Sequence, residues 1–567
     1  MTLRTITLGG SRTGPADIAR IARDGAPVHL AADGLERATA AFEAAGEIAR
    51  RRPVYGRTTG VGANRTQQVA AAEGDAHGLR LLRSHAGGAG ALVPAEQARA
   101  MMAVRANQIM AGGAGLRPAF AEALGAALNS GHLPQVHEIG AIGTGDLTAL
   151  AETGLTLIGE RPWSGGGRGE SPAPIALAAG DALAFCSSSA LTIGQATLAW
   201  ADVAPLLRAT QVVAALSLLA VDGNTEPYDE RVHAARPHPG SVEVAAAMRR
   251  LLTPAPPPAR ENAPIRAAQT GQDENAPSPA PPTAQDEGAP PPPSSPAPPT
   301  GPGQGVPPPP TGPSDDATPS PSSPAPPTGP GEGGAFTAPA ARIQDPFGYR
   351  CLPQVHGPAV EAGAALERVL DVEINAAAEN PLISAAGGTV HHHGGFHQAP
   401  LGLALDHLRV ALLHTAHLST ARLATLVEPA FTGLRPFLAD AAAGSSGVMI
   451  LEYTASSALA ELRNAALPAA LGHVVLSRGV EDHAAFASQS ARQTLRAASS
   501  YRLVLACELV AAVRALRQSG LGPAIAATPA GAAYTLAAAR LDPRDEDRPL
   551  APDIETAATL LNTFATI

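Results

Sequence analysis

"FASQSARQTLRAASSYRLVLACELVAAVRALRQSG" (486–520) is the stretch whose reading decides the fold, and it belongs to a helical pattern over 484–518. Its apolar residues recur at intervals of three and four, no proline interrupts it, and strong helix formers dominate. A helix of that length would run roughly 50 Å. That exceeds an ordinary globular helix, so it should span a bundle or an oligomer axis, covered by other helices, some from other subunits. Two more long patterns follow the same logic, 400–427 and 452–473. Residues 341–567 are therefore expected to be helical almost throughout. Residues 1–253 mix helical runs such as "PAEQARAMMAVRANQIMAGG" (94–113) with short turn-rich pieces.

Composition agrees with this reading. Hydrophobic residues make up 45% of the 567 and aromatics only 3%. Abundant alanine with few aromatics suits close-packed helices better than sheets. The net charge is −10 and no basic tract occurs, which argues against a nucleic-acid partner. There is no lysine, so a Schiff-base lysine for pyridoxal phosphate and a P-loop lysine are both excluded. Cys186, Cys351 and Cys507 are too scattered for a disulfide framework or a cysteine zinc site. The N-terminus lacks an apolar signal core. The uncharged run Ala182–Ala201 carries Ser187, Ser188, Ser189, Thr192, Gln195 and Thr197, so it reads as a buried core helix rather than a membrane span. A cytoplasmic protein is expected.

Residues 254–340 break the pattern. They are mostly Pro, Ala, Gly, Ser and Thr, and "SSPAPPTGPG" occurs twice, from Ser294 and from Ser322. Such a segment buries too little apolar surface to offset its ordering entropy and is expected to be a disordered insertion. The expected organisation is an N-terminal domain, 1–200, then a long-helix bundle from 201–253 and 341–567.

Several motifs carry polar chemistry. "PVYGRTTGVGANR" (53–65) is a glycine-rich loop around Tyr55, and "LLRSHAGGAG" (81–90) sets His85 before another glycine cluster. "IGTGDL" (142–147) places Gly143-Thr144-Gly145 ahead of an apolar helical run, where Asp146 could cap the helix. In "QDPFGYRCLPQVHG" (344–357), Arg350 is a fixed cation whose planar fork suits a carboxylate. "HHHGGFHQAP" (391–400) invites a metal, but adjacent histidines cannot share a helix face, and no second ligand set accompanies them. In "RGVEDHAAF" (478–486), Asp482 could cap the last long helix, with Glu481 favourable at its N-terminus.

Taken in order, "VYGRTTGVG", "SHAGG", "VRAN", "GTGDL", "QDPFGYRCLPQVHG", "GGFHQAP", "SGVMI" and "VEDH" resemble the successive motifs of the aromatic amino acid ammonia-lyases. The resemblance implies a mainly α, fumarase-like architecture and a homotetramer with shared active sites. It implies elimination of ammonia from an aromatic amino acid, histidine or tyrosine first among them, as in histidine metabolism. It also implies an electrophile made from the chain itself: an Ala-Ser-Gly triplet cyclises to methylidene-imidazolone, with no pyridoxal phosphate and no metal. Carried over residue by residue, Gly143, Thr144 and Gly145 form the ring, and Tyr55 is the general base. His85, Ser187, Gln344, Phe347, Arg350 and Glu461 bind substrate, Arg350 as the carboxylate clamp.

The chain departs from the family pattern at four places. Gly143-Thr144-Gly145 replaces Ala-Ser-Gly, so dehydration would give an ethylidene rather than a methylidene. Ser187 stands for an asparagine, Phe347 for a tyrosine and Gly395 for another asparagine. Two alternatives therefore accompany the lyase reading: a 2,3-aminomutase, or a catalytically silent relative kept as a scaffold.

Overall fold

The computed structural model describes residues 3–165, 169–254 and 342–567. The insertion expected over 254–340 lies outside them, Pro254 apart. Thirteen helices of ten residues or more occur among the described residues: α1 (Ala32–Arg51), α2 (Gly74–His85), α3 (Ala95–Ile109), α4 (Ala119–Ser130), α5 (Leu147–Leu157), α6 (Ala190–Ala220), α7 (Pro239–Leu252), α8 (Leu352–Glu373), α9 (Ala399–Leu426), α10 (Ile450–Ala465), α11 (Ala487–Gln518), α12 (Pro529–Ala538) and α13 (Ala551–Phe564). Among the described residues the strands are short and pair only in twos. One hairpin, Leu382–Ser384 against Thr389–His391, pairs Leu382 with His391 and so presents the histidine run that follows.

The 484–518 pattern becomes α11, about 48 Å long at 1.5 Å per residue. It packs on α6, α9 and α10. α6 is apolar on every side and buried almost throughout, as a helix enclosed by others must be. The stretch Asp181–Ala220 is long and apolar enough to cross a membrane, yet 78% of its most apolar window is buried inside the protein. It is core. α6 also runs through the 200/201 position where a domain boundary was expected, packing on α3 from one side of that boundary and on α11 from the other.

Two expectations are corrected at helix ends. The 452–473 pattern stops at Ala465, because Pro468 has no N–H with which to continue the ladder. Asp482 does not cap α11. The N-cap is Phe486, in the left-handed region at φ +49° and with no side-chain cap.

Side-chain pairing fixes the helix directions. Gln398, just before α9, donates to Glu373 at the end of α8 (2.8 Å), while His356 near the start of α8 lies 3.4 Å from Thr415 late in α9. These two helices are antiparallel. Arg422 of α9 forms a fully buried ion pair with Glu508 of α11, at 2.6 and 2.8 Å, and Ser217 of α6 and Ser419 donate to the same carboxylate. α6, α9 and α11 therefore start at one end of the bundle and run in parallel toward this pair.

Candidate active site

The segment Gly143-Thr144-Gly145 sits at the end where the parallel helices start. Phe486 N–H donates to the Ile142 carbonyl (2.8 Å), and Gln398 N–H donates to the Gly143 carbonyl (3.1 Å). Ser488 Oγ (2.8 Å) and Gln489 Nε2 (2.9 Å) donate to the Ala141 carbonyl. Asp146 N–H donates to the Ser188 carbonyl at 2.7 Å. The starts of α5, α6, α9 and α11 thus converge on the glycine-flanked Thr144. Each helix N-terminus carries roughly half a positive charge. Parallel dipoles gain nothing from lying side by side, so this packing concentrates positive potential at one point.

Local backbone explains the glycines. Gly143 has φ +85° and Gly145 φ +111°. A Cβ on Gly143 would lie 2.7 Å from the Ala487 nitrogen, so the alanine expected at this place has no room. Thr144 is half-buried between two buried neighbours. Asp146 is a cap, but not of its own helix. Its carboxylate accepts from Thr192 N–H (2.7 Å) and Thr192 Oγ1 (2.8 Å), tying the start of α6 to the ring segment. Burial pushes Asp146 up to about 6 against these bonds.

Tyr55 belongs to the same end. Its hydroxyl accepts the Gly62 N–H at 2.7 Å, and its own N–H reaches His392 Nε2 at 3.3 Å. Burial raises the Tyr55 pKa, the Gly62 amide opposes the rise, Glu481 adds to it and Arg65 lowers it. The loop docks on the 477–481 turn, where Ser477 Oγ accepts from Ala63 N–H at 2.9 Å. Ser187 Oγ accepts from Asn380 N–H (3.0 Å), Asn380 Oδ1 accepts from His393 N–H, and His393 Nε2 lies 2.8 Å from the Glu379 carbonyl. Hydrogen bonds and chain neighbours together lead from Tyr55 through His392, His393, Asn380 and Ser187 to Ser188, whose carbonyl holds the Asp146 N–H. His85 ends α2, its Nδ1 2.9 Å from the Leu81 carbonyl, and Gly88 just beyond it lies against Glu152 of α5.

The remaining sequence-derived residues are elsewhere. Gln344, Phe347 and Arg350 precede α8, at its far end from Glu373. The 22 residues of α8 put them about 33 Å from the ring segment. Gln344 and Phe347 are exposed, and the Arg350 guanidinium stacks over the Phe347 ring at 4.6 Å. Arg350 makes no ion pair among the described residues, and its buried Nε has no partner. Glu461 is exposed on α10 and joins neither group. The carboxylate that does face the Tyr55 loop is Glu481. A Cβ on Gly62 would be 3.3 Å from its Oε1. Sequence reading named "VEDH" but took Glu481 for helix charge. Its function-bearing signal was position in the motif order, not the local helix pattern. Arg105 of "VRAN" forms a buried pair with Glu379 at 2.6 Å and also went unassigned. Among the described residues no group of three His, Cys, Asp or Glu side chains is placed to hold a metal.

The residues fit a self-derived imidazolone. No hydrogen bond among the described residues engages the Gly145 N–H that would close the ring, and the Gly143 carbonyl it would attack is polarised by Gln398.

Comparison with known proteins places this geometry. The family model for aromatic amino acid lyases matches residues 14–275 and 331–537. The chain is 32% identical to a histidine ammonia-lyase of Symbiobacterium thermophilum, over 99% of this chain and 97% of that protein. Among solved structures it resembles tyrosine aminomutase from Streptomyces globisporus (TM-score 0.79, 25% identity, 99% and 97% covered). It also resembles the fold of histidine ammonia-lyase from Trypanosoma cruzi (TM-score 0.77, 23% identity, 99% and 94% covered). The chain belongs to the aromatic amino acid lyase family. It is a carbon–nitrogen lyase of the ammonia-lyase type, built on the mainly α, fumarase-like architecture.

Proposed function

We propose that the chain eliminates ammonia from an aromatic amino acid, histidine or tyrosine by preference, with an imidazolone formed from Gly143, Thr144 and Gly145. One observation carries this reading: four helix N-termini converge on that segment, with Gln398 N–H on the Gly143 carbonyl. Ring closure joins the Gly145 nitrogen to the Gly143 carbonyl carbon and expels the carbonyl oxygen as water. Loss of the Thr144 hydroxyl with its Cα hydrogen releases a second water. The ring then supplies an electrophilic exocyclic carbon, here bearing one more methyl than serine would give. The surrounding amides stabilise negative charge that develops at that end without reorganising.

The chain's own groups do the rest. Tyr55 takes the weakly acidic β-proton, and the Gly62 amide on its oxygen favours the phenolate against the burial that opposes it. Arg350, with no carboxylate partner among the described residues, clamps the substrate carboxylate. It cannot do so at its own chain's ring segment about 33 Å away, so a second copy completes each site, and a homotetramer meets this need. The outer face of α9 supports such assembly. Leu403, His407, Val410, His414, His417, Ala421 and Ala424 are exposed at alternating spacings of four and three, the pattern of a helix–helix seam.

Intact-mass measurement of the purified protein tests the reading. Loss of two waters, mapped to residues 143–145 and absent in Thr144→Ala, is expected; an unmodified mass in folded protein would contradict it. Histidine and tyrosine assays then read the conjugated acid by absorbance. Likeness to a tyrosine aminomutase favours one second reading, return of ammonia to Cβ, which a β-amino acid among the products would reveal.

A further inference from the structure

Two imidazoles that the proposed chemistry does not use stand beside the ring segment. His397 Nε2 lies 3.0 Å from His483 Nδ1, with ring centroids 5.0 Å apart and planes tilted by 39°. At that separation one nitrogen donates and the other accepts, so the pair shares a single hydrogen. What the pair joins gives it meaning. His397 immediately precedes Gln398, whose N–H holds the Gly143 carbonyl, and His483 lies three residues before Phe486, whose N–H holds the Ile142 carbonyl. The two segments meet again where Gly402 approaches the Ala485 carbonyl.

The backbone of the second segment is strained. Ser477 (φ +51°), Arg478 (φ +59°) and Phe486 (φ +49°) are non-glycine residues in the left-handed region, on both sides of His483. Such conformations are costly for residues with a Cβ and persist only where the surroundings hold them. A hydrogen bond across to His397 is one such hold, and it acts on the strained segment next to the amide that matters.

We propose that His397 and His483 form a clasp that positions the Gln398 and Phe486 amides for ring closure at Gly143-Thr144-Gly145. They are positioning residues, acting through two main-chain donors rather than on substrate. The inference rests on the reading that this segment cyclises.

The test follows water loss by intact mass in full-length chains made by cell-free synthesis, with amide hydrogen exchange at Gln398 and Phe486 on the purified proteins. His397→Phe and His483→Phe should mature about five- to tenfold more slowly, the size of one net hydrogen bond, and exchange faster at both amides. His397→Gln keeps a donor at the Nε2 position and His483→Asn an acceptor at the Nδ1 position, so both should restore rate and protection. Phenylalanine variants that mature at the wild-type rate overturn the clasp alone. So do Gln and Asn variants as slow as the phenylalanine ones, since shape and not the shared hydrogen would then be responsible. A wild-type chain that never loses water overturns the clasp together with the cyclisation reading.

Discussion

The two ends of the bundle are built on opposite principles. At the ring end, four helices begin and their unsatisfied amides are spent on carbonyls and a carboxylate around three residues. Glycines admit a backbone that side chains would exclude. At the far end, α6, α9 and α11 are locked together by the buried Arg422–Glu508 pair, with Arg422 also donating to the Gly348 carbonyl two residues from Arg350. One end gathers backbone donors around the segment proposed to form the electrophile. The other is rigid and offers a fixed cation outward. On the proposed reading neither is a complete site, and the comparison teaches that the chemistry would then be divided along the length of the helices.

The largest effect should follow from breaking the ring end. Thr144→Ala should lower turnover by roughly three orders of magnitude or more, as loss of a covalent catalytic group does, with an unchanged circular dichroism spectrum and melting curve. Next comes the lock at the far end. Glu508→Gln leaves Arg422 buried without its counter-charge and should cost about 3–5 kcal/mol in denaturant unfolding. Removing the outward cation is milder. Arg350→Ala should raise KM with a loss of about 1.5–3 kcal/mol in kcat/KM, the worth of a charge-assisted bond, while leaving water loss at Thr144 intact by mass.

The smallest effect is a pH dependence that also separates the ends. Burial lowers His356, near the far end, to about 4. The unfolded chain therefore binds more protons than the folded one between about 6.5 and 4, and stability from this group is lost as pH falls through that window. Asp146 at the ring end has the opposite sign: raised to about 6, its contribution is present at low pH and lost as pH rises from about 3.8 through 6. His356→Gln, which retains a donor for the Leu207 carbonyl now bonded at 2.9 Å, should flatten the acid limb of a urea-midpoint profile. A slope unchanged in that variant would remove His356 from the account.

Much of this was legible in the sequence, for physical reasons. The long patterns over 400–427 and 484–518 became α9 and α11 because burial on most faces leaves a periodic, proline-free record. The GTGDL knot was legible as a special turn because φ above zero calls for glycine. Capping was read correctly as chemistry for Asp146 but on the wrong helix, since a carboxylate that reaches Thr192 leaves no local trace. Glu481 was missed for the same reason: nothing in "VEDH" says which loop faces it. The separation of Arg350 from Thr144 was illegible too, because motif order carries no sign that α8 and α9 run antiparallel.

The division of the site between copies is tested most directly by complementation. Thr144→Ala chains, nearly inactive alone, and Arg350→Ala chains, weakened in kcat/KM, are co-expressed with different tags, and the doubly tagged assemblies are purified and assayed at substrate well below KM. Because an intact Thr144 from one chain can meet an intact Arg350 from the other, the hybrid should regain a substantial fraction of wild-type turnover. Hybrid assemblies no more active than the two parents would contradict a site built from the opposite ends of two chains.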